Sequence, residues 1–238
     1  MEQFRFTFQQ NQFWGKCKPC TPAVFNTTID SAVVARTIGM RQDIEAAIAH
    51  GQPLDKWLGD AEFRKFCAMN EQKPRAGANF HLLTPQQKLI QWANALKMGL
   101  PCFIYGVRKF DGVRRRQAEI KELSALFMFD GDKLPMHPRE LFERTQVPGF
   151  NWTVRLAHAT SSGHGLRLVC EARPELGNIA DNQICLARDL GLMGVIGTTG
   201  KPVVDDSCID ACRISYAPRR QDIYYMDENG LFNYQNNE

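Results

Sequence analysis

The sequence predicts an α/β protein of the α+β kind, with an open or mixed sheet joined to a largely helical N-terminal region. Residues 1–100 carry apolar positions at helical spacing, whereas from Pro101 onward short apolar runs bounded by breakers alternate with helical stretches. With 44% apolar and 23% charged residues over 238 positions, the chain can bury a sizeable core. A soft boundary falls near residue 100. It separates a helical extension, 1–100, from an α/β portion, 101–238, and the two can form one compact unit.

Ser31 to His50 predicts a helix interrupted near Thr37 to Gly39. A second helix is predicted over Pro53 to Met69, with Leu54, Trp57, Leu58, Phe63 and Phe66 as its buried stripe. Thr84 to Met98 has the fullest signals: Thr84 as N-cap, Pro85 in the first turn, Gly99 and Pro101 beyond the end. Pro101 to Val107 is an apolar, aromatic run that reads as a strand. The basic turn Arg108 to Arg116 follows, with Asp111-Gly112 as a hairpin signal. Ser124 to Phe129 predicts a buried strand ending on Asp130. Then come a helix at Pro138 to Thr145, a strand at Gly165 to Glu171 and a helix at Ile179 to Leu190. Val195 to Ile196, Arg213 to Ala217 and Ile223 to Met226 are the remaining predicted strands.

Composition excludes several classes. The longest apolar runs, such as Ala125 to Phe129, are too short to span a membrane. The first residues lack a basic-then-apolar leader, so a cytoplasmic location is expected. A net charge of +3 is too mild to diagnose a nucleic-acid partner by itself. The eight cysteines are expected to be mostly reduced. Cys17-x-x-Cys20 and Cys208-x₃-Cys212 together match a Cys₄ pattern, but two half-sites so far apart are weak, and zinc is not expected. Cys67, Cys102, Cys170 and Cys185 sit in apolar company and read as core.

Three places can carry chemistry. Asp130-Gly131-Asp132 ends an apolar strand, and carboxylates at i and i+2 of an extended chain point to one side. Two such charges repel unless a cation lies between them, and hard oxygen ligands suit Mg²⁺ or Mn²⁺. The same residues also fit a solvent-exposed turn. Thr160 to Val169 interleaves small residues with glycine, leaving backbone N–H groups open to phosphate oxygens, with His164 and Arg167 alongside; a plain loop fits it equally. Val204 to Tyr216 holds Asp205, Asp206 and Asp210, any of which can complete a carboxylate set. Asp210 and Arg213 also fit a surface ion pair.

The order of these motifs resembles the archaeo-eukaryotic primase superfamily: Asp130-x-Asp132 after an apolar strand, Ser162-Gly163-His164 about 30 residues on, then Asp210 before another strand. Asp210-x-x-Arg213 brings it closest to the primase-polymerase branch of bacterial mobile elements, plasmids and phages. The resemblance covers roughly residues 100–226. It implies a catalytic core with a mixed sheet in an RRM-like arrangement, performing template-directed nucleotidyl transfer by a two-metal mechanism. Asp130, Asp132 and Asp210 would be catalytic and hold Mg²⁺ or Mn²⁺. Ser162, Gly163, His164, Arg167, Arg213 and Lys201 would bind the nucleotide.

The basic cluster Arg108, Lys109, Arg114, Arg115 and Arg116 can follow a template backbone, with Phe110 or Tyr105 for base stacking and Tyr216, Arg219 and Arg220 in the same groove. A solvated charged hairpin fits the cluster as well. The implied partners are single-stranded or primer-template DNA, nucleoside triphosphates and a replicative helicase, with no membrane. A non-catalytic nucleic-acid-binding module and a metal-dependent nuclease are the alternatives.

Overall fold

Arg5 to Gln9 alternates apolar and polar residues, the pattern of a strand whose two faces meet different surroundings. In the computed structural model, which describes residues 4–73, 77–112, 115–204 and 210–233, this segment forms β1 (Thr7–Gln9). β1 pairs with β2 (Lys18–Pro19) on one side and with β3 (Cys102–Ile104) on the other.

Between β2 and β3 the chain is helical: α1 (Pro22–Ile29), α2 (Ala32–Ala49), α3 (Asp55–Leu58), α4 (Ala61–Glu71), α5 (Gly77–Phe80) and α6 (Pro85–Met98). Side-chain caps explain several starts. Thr21 accepts from Val24 N, Ser31 from Val33 N and Asp60 from Glu62 N and Phe63 N. Thr84 and Gln87 form a reciprocal capping box on α6. Ile44, Ala47, Trp57, Phe63, Leu89, Trp92 and Ala93 form the core of this helical layer.

Beyond β3 come β4 (Val107–Phe110), β5 (Ile120–Leu123), β6 (Leu126–Gly131), α7 (Pro138–Glu143), β7 (Val154–Ala159), β8 (Leu166–Glu171), α8 (Ile179–Asp189), β9 (Ser215–Tyr216), β10 (Ile223–Met226) and α9 (Glu228–Phe232). β4 and β5 pair as a hairpin. β9 joins β3, so the first sheet runs β2-β1-β3-β9; the second runs β10-β7-β8-β6.

Alternation along β6 sorts its side chains between two cores. Leu126 and Met128 join Phe6, Phe25, Phe103 and Tyr105 between the two sheets. Phe127 and Phe129 join Leu141, Leu186 and Trp152 under α7 and α8. Covered on both faces, β6 reads as a continuous apolar run for that reason. The core between the sheets draws Phe6, Phe25, Ile29, Val34 and Ile38 from the first hundred residues.

Several expectations need correction. Among the described strands every pairing is antiparallel, so the sheets are not mixed. β6-α7-β7-β8-α8-β10 follows the β-α-β-β-α-β succession, interrupted by β9. The last strand pairs beside β7 rather than beside β6, which departs from an RRM-like order. α2 runs unbroken through Thr37 and Gly39, because burying Val34, Ile38, Ile44 and Ala47 outweighs a propensity cost of about 1 kcal/mol. The helix predicted over 53–69 is two helices, divided where Asp60 caps α4.

The strand predicted over 101–107 breaks at Gly106, where a Cβ would lie 2.6 Å from the Ala211 carbonyl oxygen. Asp111-Gly112 opens a longer loop than a two-residue turn, closed by Asp111 N donating to Glu119 O at 2.8 Å. Ile196 makes only one bridge, to Pro202. β2, α1, β7 and α9 are absent from the elements predicted above, and so is β1, although the alternation over Arg5 to Gln9 fits it.

Candidate functional site

The site is built where β6 runs out of apolar residues. Asp130 lies on the face turned toward the first sheet, and one rung of the second sheet places Asp130, Arg167 and His158 side by side on β6, β8 and β7. All three are buried. Arg167 donates from Nη2 to Asp130 Oδ2 at 2.5 Å and from Nη1 to Ser215 Oγ at 3.1 Å, tying the second sheet to β9. His158 donates from Nδ1 to its neighbour's carbonyl, Ala159 O, at 2.7 Å. Burial first, and then the Arg167 guanidinium, push its pKa down to about 4, so the ring is neutral.

Asp132 is exposed one step past the strand, its N–H donating to Val203 O at 2.9 Å. The turn from Thr160 to Gly165 lies beside it. Leu134 N donates to His164 O at 2.9 Å and Gly131 pairs with Leu166, so Asp130-x-Asp132 and Ser162-x-His164 share one end of the sheet. Two glycines make the turn possible. Gly163 has φ +77°, and a Cβ on Gly165 would lie 2.7 Å from the Gly131 carbonyl oxygen. Ser162 is buried, with Oγ 3.2 Å from Thr160 Oγ1, while His164 is exposed. A third segment completes this end: Val204 bridges Gly131, and Thr198 N donates to Lys133 O at 2.9 Å, setting the turn that carries exposed Lys201 against Lys133.

Two cations from the helical layer also reach the site. Arg41 of α2 donates to Ser161 Oγ at 2.6 Å and to Glu45 Oε1 at 3.0 Å. Lys97, in the last turn of α6, holds its ammonium 5.0 Å from the centre of the Tyr216 ring. Burial, then Arg41 and Arg167, push the Lys97 pKa down to about 8, against the opposing pull of Asp130 and Asp132. The sequence does carry a signal for both. Arg41 falls between Ile38 and Ile44 on the buried stripe of α2, and Lys97 follows Leu89 and Ala93 at helical spacing on α6.

Asp210 is placed differently. Its carboxylate accepts from Cys212 N at 2.8 Å. It lines a small cavity with Gly106, Met128, Gln183 and Arg213, along β6 rather than at its end. Asp205 and Asp206 lie outside the described residues. Among the described residues no three His, Cys, Asp or Glu side chains form a metal-holding group. Asp130 and Asp132 fit Mg²⁺ or Mn²⁺ in donor type but not in number, with Asp130 already engaged by Arg167.

The expected nucleic-acid surface is only partly available. Arg108 pairs with Glu122, and Arg115 donates to Cys212 O at 2.9 Å, while Lys109 and Arg116 are exposed. Arg114 lies outside the described residues. Phe110 and Tyr105 are buried and cannot stack on bases, because each is needed in a core cluster. Arg219 and Arg220 are committed to Asp222 and Asp30. Phe13 and Trp14, 74% and 39% exposed, present rings beside exposed Lys16 and Lys18 in the loop between β1 and β2.

Cys20 packs between the sheets whereas Cys17 packs with Cys212 in another cluster, so the Cys-x-x-Cys pair is split between two environments. Cys208 lies outside the described residues. Burial pushes the thiols of Cys17, Cys102 and Cys212 up to about 11, 12 and 12. No helix among the described residues is long and apolar enough to cross a membrane. No protein family, curated protein or solved structure matches this chain.

Proposed function

We propose that this chain is the catalytic domain of a DNA primase-polymerase, joining nucleotides on a template with release of pyrophosphate. The observation that supports it is the meeting of Asp130-x-Asp132 and Ser162-x-His164 at one end of a sheet, where Gly131 pairs with Leu166 and Leu134 N donates to His164 O at 2.9 Å. Carboxylates beside a glycine-bearing turn rich in hydroxyls suit a triphosphate and the hydroxyl that attacks it.

In this reading the turn at 160–165 receives the phosphates, with Ser162 and His164 as donors and Lys201 at the rim. Arg167 orients Asp130, and Arg213 and Asp210 occupy the neighbouring wall of β6. Asp130 and Asp132 would hold Mg²⁺ or Mn²⁺ at the end of β6, which when bound supplies charge neutralisation for the triphosphate, while Asp210, farther along β6, stands apart from them. Separate substitution of Asp205, Asp206 and Asp210 tests which further aspartate this reading needs. Template DNA would lie along the surface carrying Lys109 and Arg116, with Phe13 and Trp14 as stacking rings. A replicative helicase is the partner this activity calls for.

The test is primer extension on a single-stranded template with labelled primer, nucleotides and Mg²⁺ or Mn²⁺, alongside a primer-free reaction. Longer products that vanish in Asp130→Ala plus Asp132→Ala support the reading. Shortened primer without nucleotides points to a nuclease. Unchanged DNA with tight binding, and no priming, points to a non-catalytic binding module.

A further inference from the structure

Arg41 and Lys97 lie 56 positions apart in sequence, yet α2 and α6 pack against each other; Arg41 reaches the 160–165 turn at Ser161, and Lys97, over the Tyr216 ring, feels the charges of Arg41, Arg167, Asp130 and Asp132. A guanidinium on the buried stripe of a helix is expensive unless it is matched by partners or has a task. Arg41 is fixed by Glu45 and Ser161, so its planar fork is already aimed at the turn. Lys97 is half-buried, and among the described residues its ammonium makes no ion pair or hydrogen bond; it stands over the Tyr216 ring, with Asp130 and Asp132 attracting it and Arg41 and Arg167 repelling it. A lysine in the last turn of a helix has an ordinary electrostatic reason. That reason is weak here, because the carbonyls of Leu96 and Lys97 already accept from Gly99 and Leu100 N–H.

The nearby carboxylates are engaged as well. Glu45 faces Arg41 and Lys133, and Asp130 is held by Arg167. An anion at the turn would meet the Arg41 guanidinium and the hydroxyl of Ser161, with Lys97 as a second cation and the carboxylates of Glu45, Asp130 and Asp132 opposing it. Oxygen-rich, multiply charged anions fit such a set better than a carboxylate does, because they can accept from several donors at once.

We propose that Lys97 and Arg41 form a phosphate seat for the polyphosphate tail of a nucleotide, so that the helical region contributes directly to substrate binding. The identity of the anion rests on the nucleotidyl-transfer reading; the seat itself rests on the geometry.

The test is calorimetric titration of the full chain with inorganic tripolyphosphate, once in EDTA and once with excess Mg²⁺. Lys97→Met should weaken binding about tenfold, the effect of losing one charge-assisted contact. Arg41→Gln should do the same, and Lys97→Arg should keep most of the affinity. Lys65→Met, on the exposed face of α4, removes one charge elsewhere and should change nothing. Lys97→Met should also melt no lower than the parent protein, since a half-buried charge is replaced by an apolar chain; a purely structural lysine would give the opposite. Equal affinity in the parent and both Lys97→Met and Arg41→Gln, or no binding by the parent in either condition, overturns the proposal. Lys97-dependent binding without primer extension by the parent leaves the seat standing and removes the polymerase reading. Extension by Lys97→Met at unchanged nucleotide KM removes the seat and leaves the polymerase.

Discussion

Arg167 governs how Asp130 behaves. Its guanidinium sits 2.5 Å from the carboxylate inside the sheet sandwich, and taking one partner from a buried pair costs more than replacing both. Arg167→Met should therefore destabilise by about 3–5 kcal/mol, and Arg167→Met with Asp130→Asn should recover much of that loss in urea unfolding. His158 gives a pH signature on the same rung. Its folded pKa of about 4 lies below the ordinary 6.5, so between those values the unfolded chain binds the proton more readily. Stability should fall as pH drops from about 6.5 to about 4, by roughly 3 kcal/mol in total, and His158→Gln should flatten that part of the curve. The aspartates and the Ser-x-His were legible because polar residues break an apolar or glycine-rich pattern. Arg41 and Lys97 were equally legible, but only once a cation within an apolar stripe is treated as a signal. Phe110 and Tyr105 were misread because an aromatic side chain suits a core as well as a stacking surface.

At the level of elements, local chemistry was the most readable part. Thr84, Pro85 and Gly99 bracket α6 as the sequence predicts, and Thr84→Ala should cost about 1 kcal/mol in thermal or urea unfolding by opening the capping box. β7 escaped detection because Arg155 and His158 interrupt it; Arg155 is there for partners in other elements, while His158 is bonded to the carbonyl of the next residue of β7 itself. Arg155 and Arg5 both pair with Glu171, and Arg155 also pairs with Asp227, the N-cap of α9. Burial opposes ionisation of Glu171, but the two arginines win and hold its pKa below the usual range. A backbone N–H from Gly230, and then Arg155, do the same for Asp227. Both carboxylates are lowered, so their contribution is complete above the ordinary values of 4.5 and 3.8 and is lost as pH falls through the folded ones. Glu171→Gln should reduce that acid sensitivity below about pH 4.5. In the loop between β1 and β2, Trp14→Ala should weaken single-stranded DNA binding by about 1–3 kcal/mol in a fluorescence titration.

Across the whole molecule, the least legible feature was which strands meet. Phe6 lies 4.8 Å from Tyr105, 5.6 Å from Phe232, 6.0 Å from Phe103 and 6.3 Å from Phe25, ring centre to ring centre. Phe6→Ala should cost about 3–5 kcal/mol, measured by urea unfolding. Periodicity reports which side chains are buried, not which distant segment buries them. That is why the change of texture near residue 100 was readable while the shared core across it was not.

The strand order β2-β1-β3-β9 also has a consequence for how the chain is made. Segments around residues 8, 103 and 215 must meet before the first sheet is complete, so its pairings close very long loops. During synthesis β1 emerges early and must wait for β3, and β3 in turn for β9, to leave the ribosome, with the exposed rings of Phe6 and Phe8 open to wrong partners meanwhile. The helical layer, whose contacts are local, can form first and shelter them.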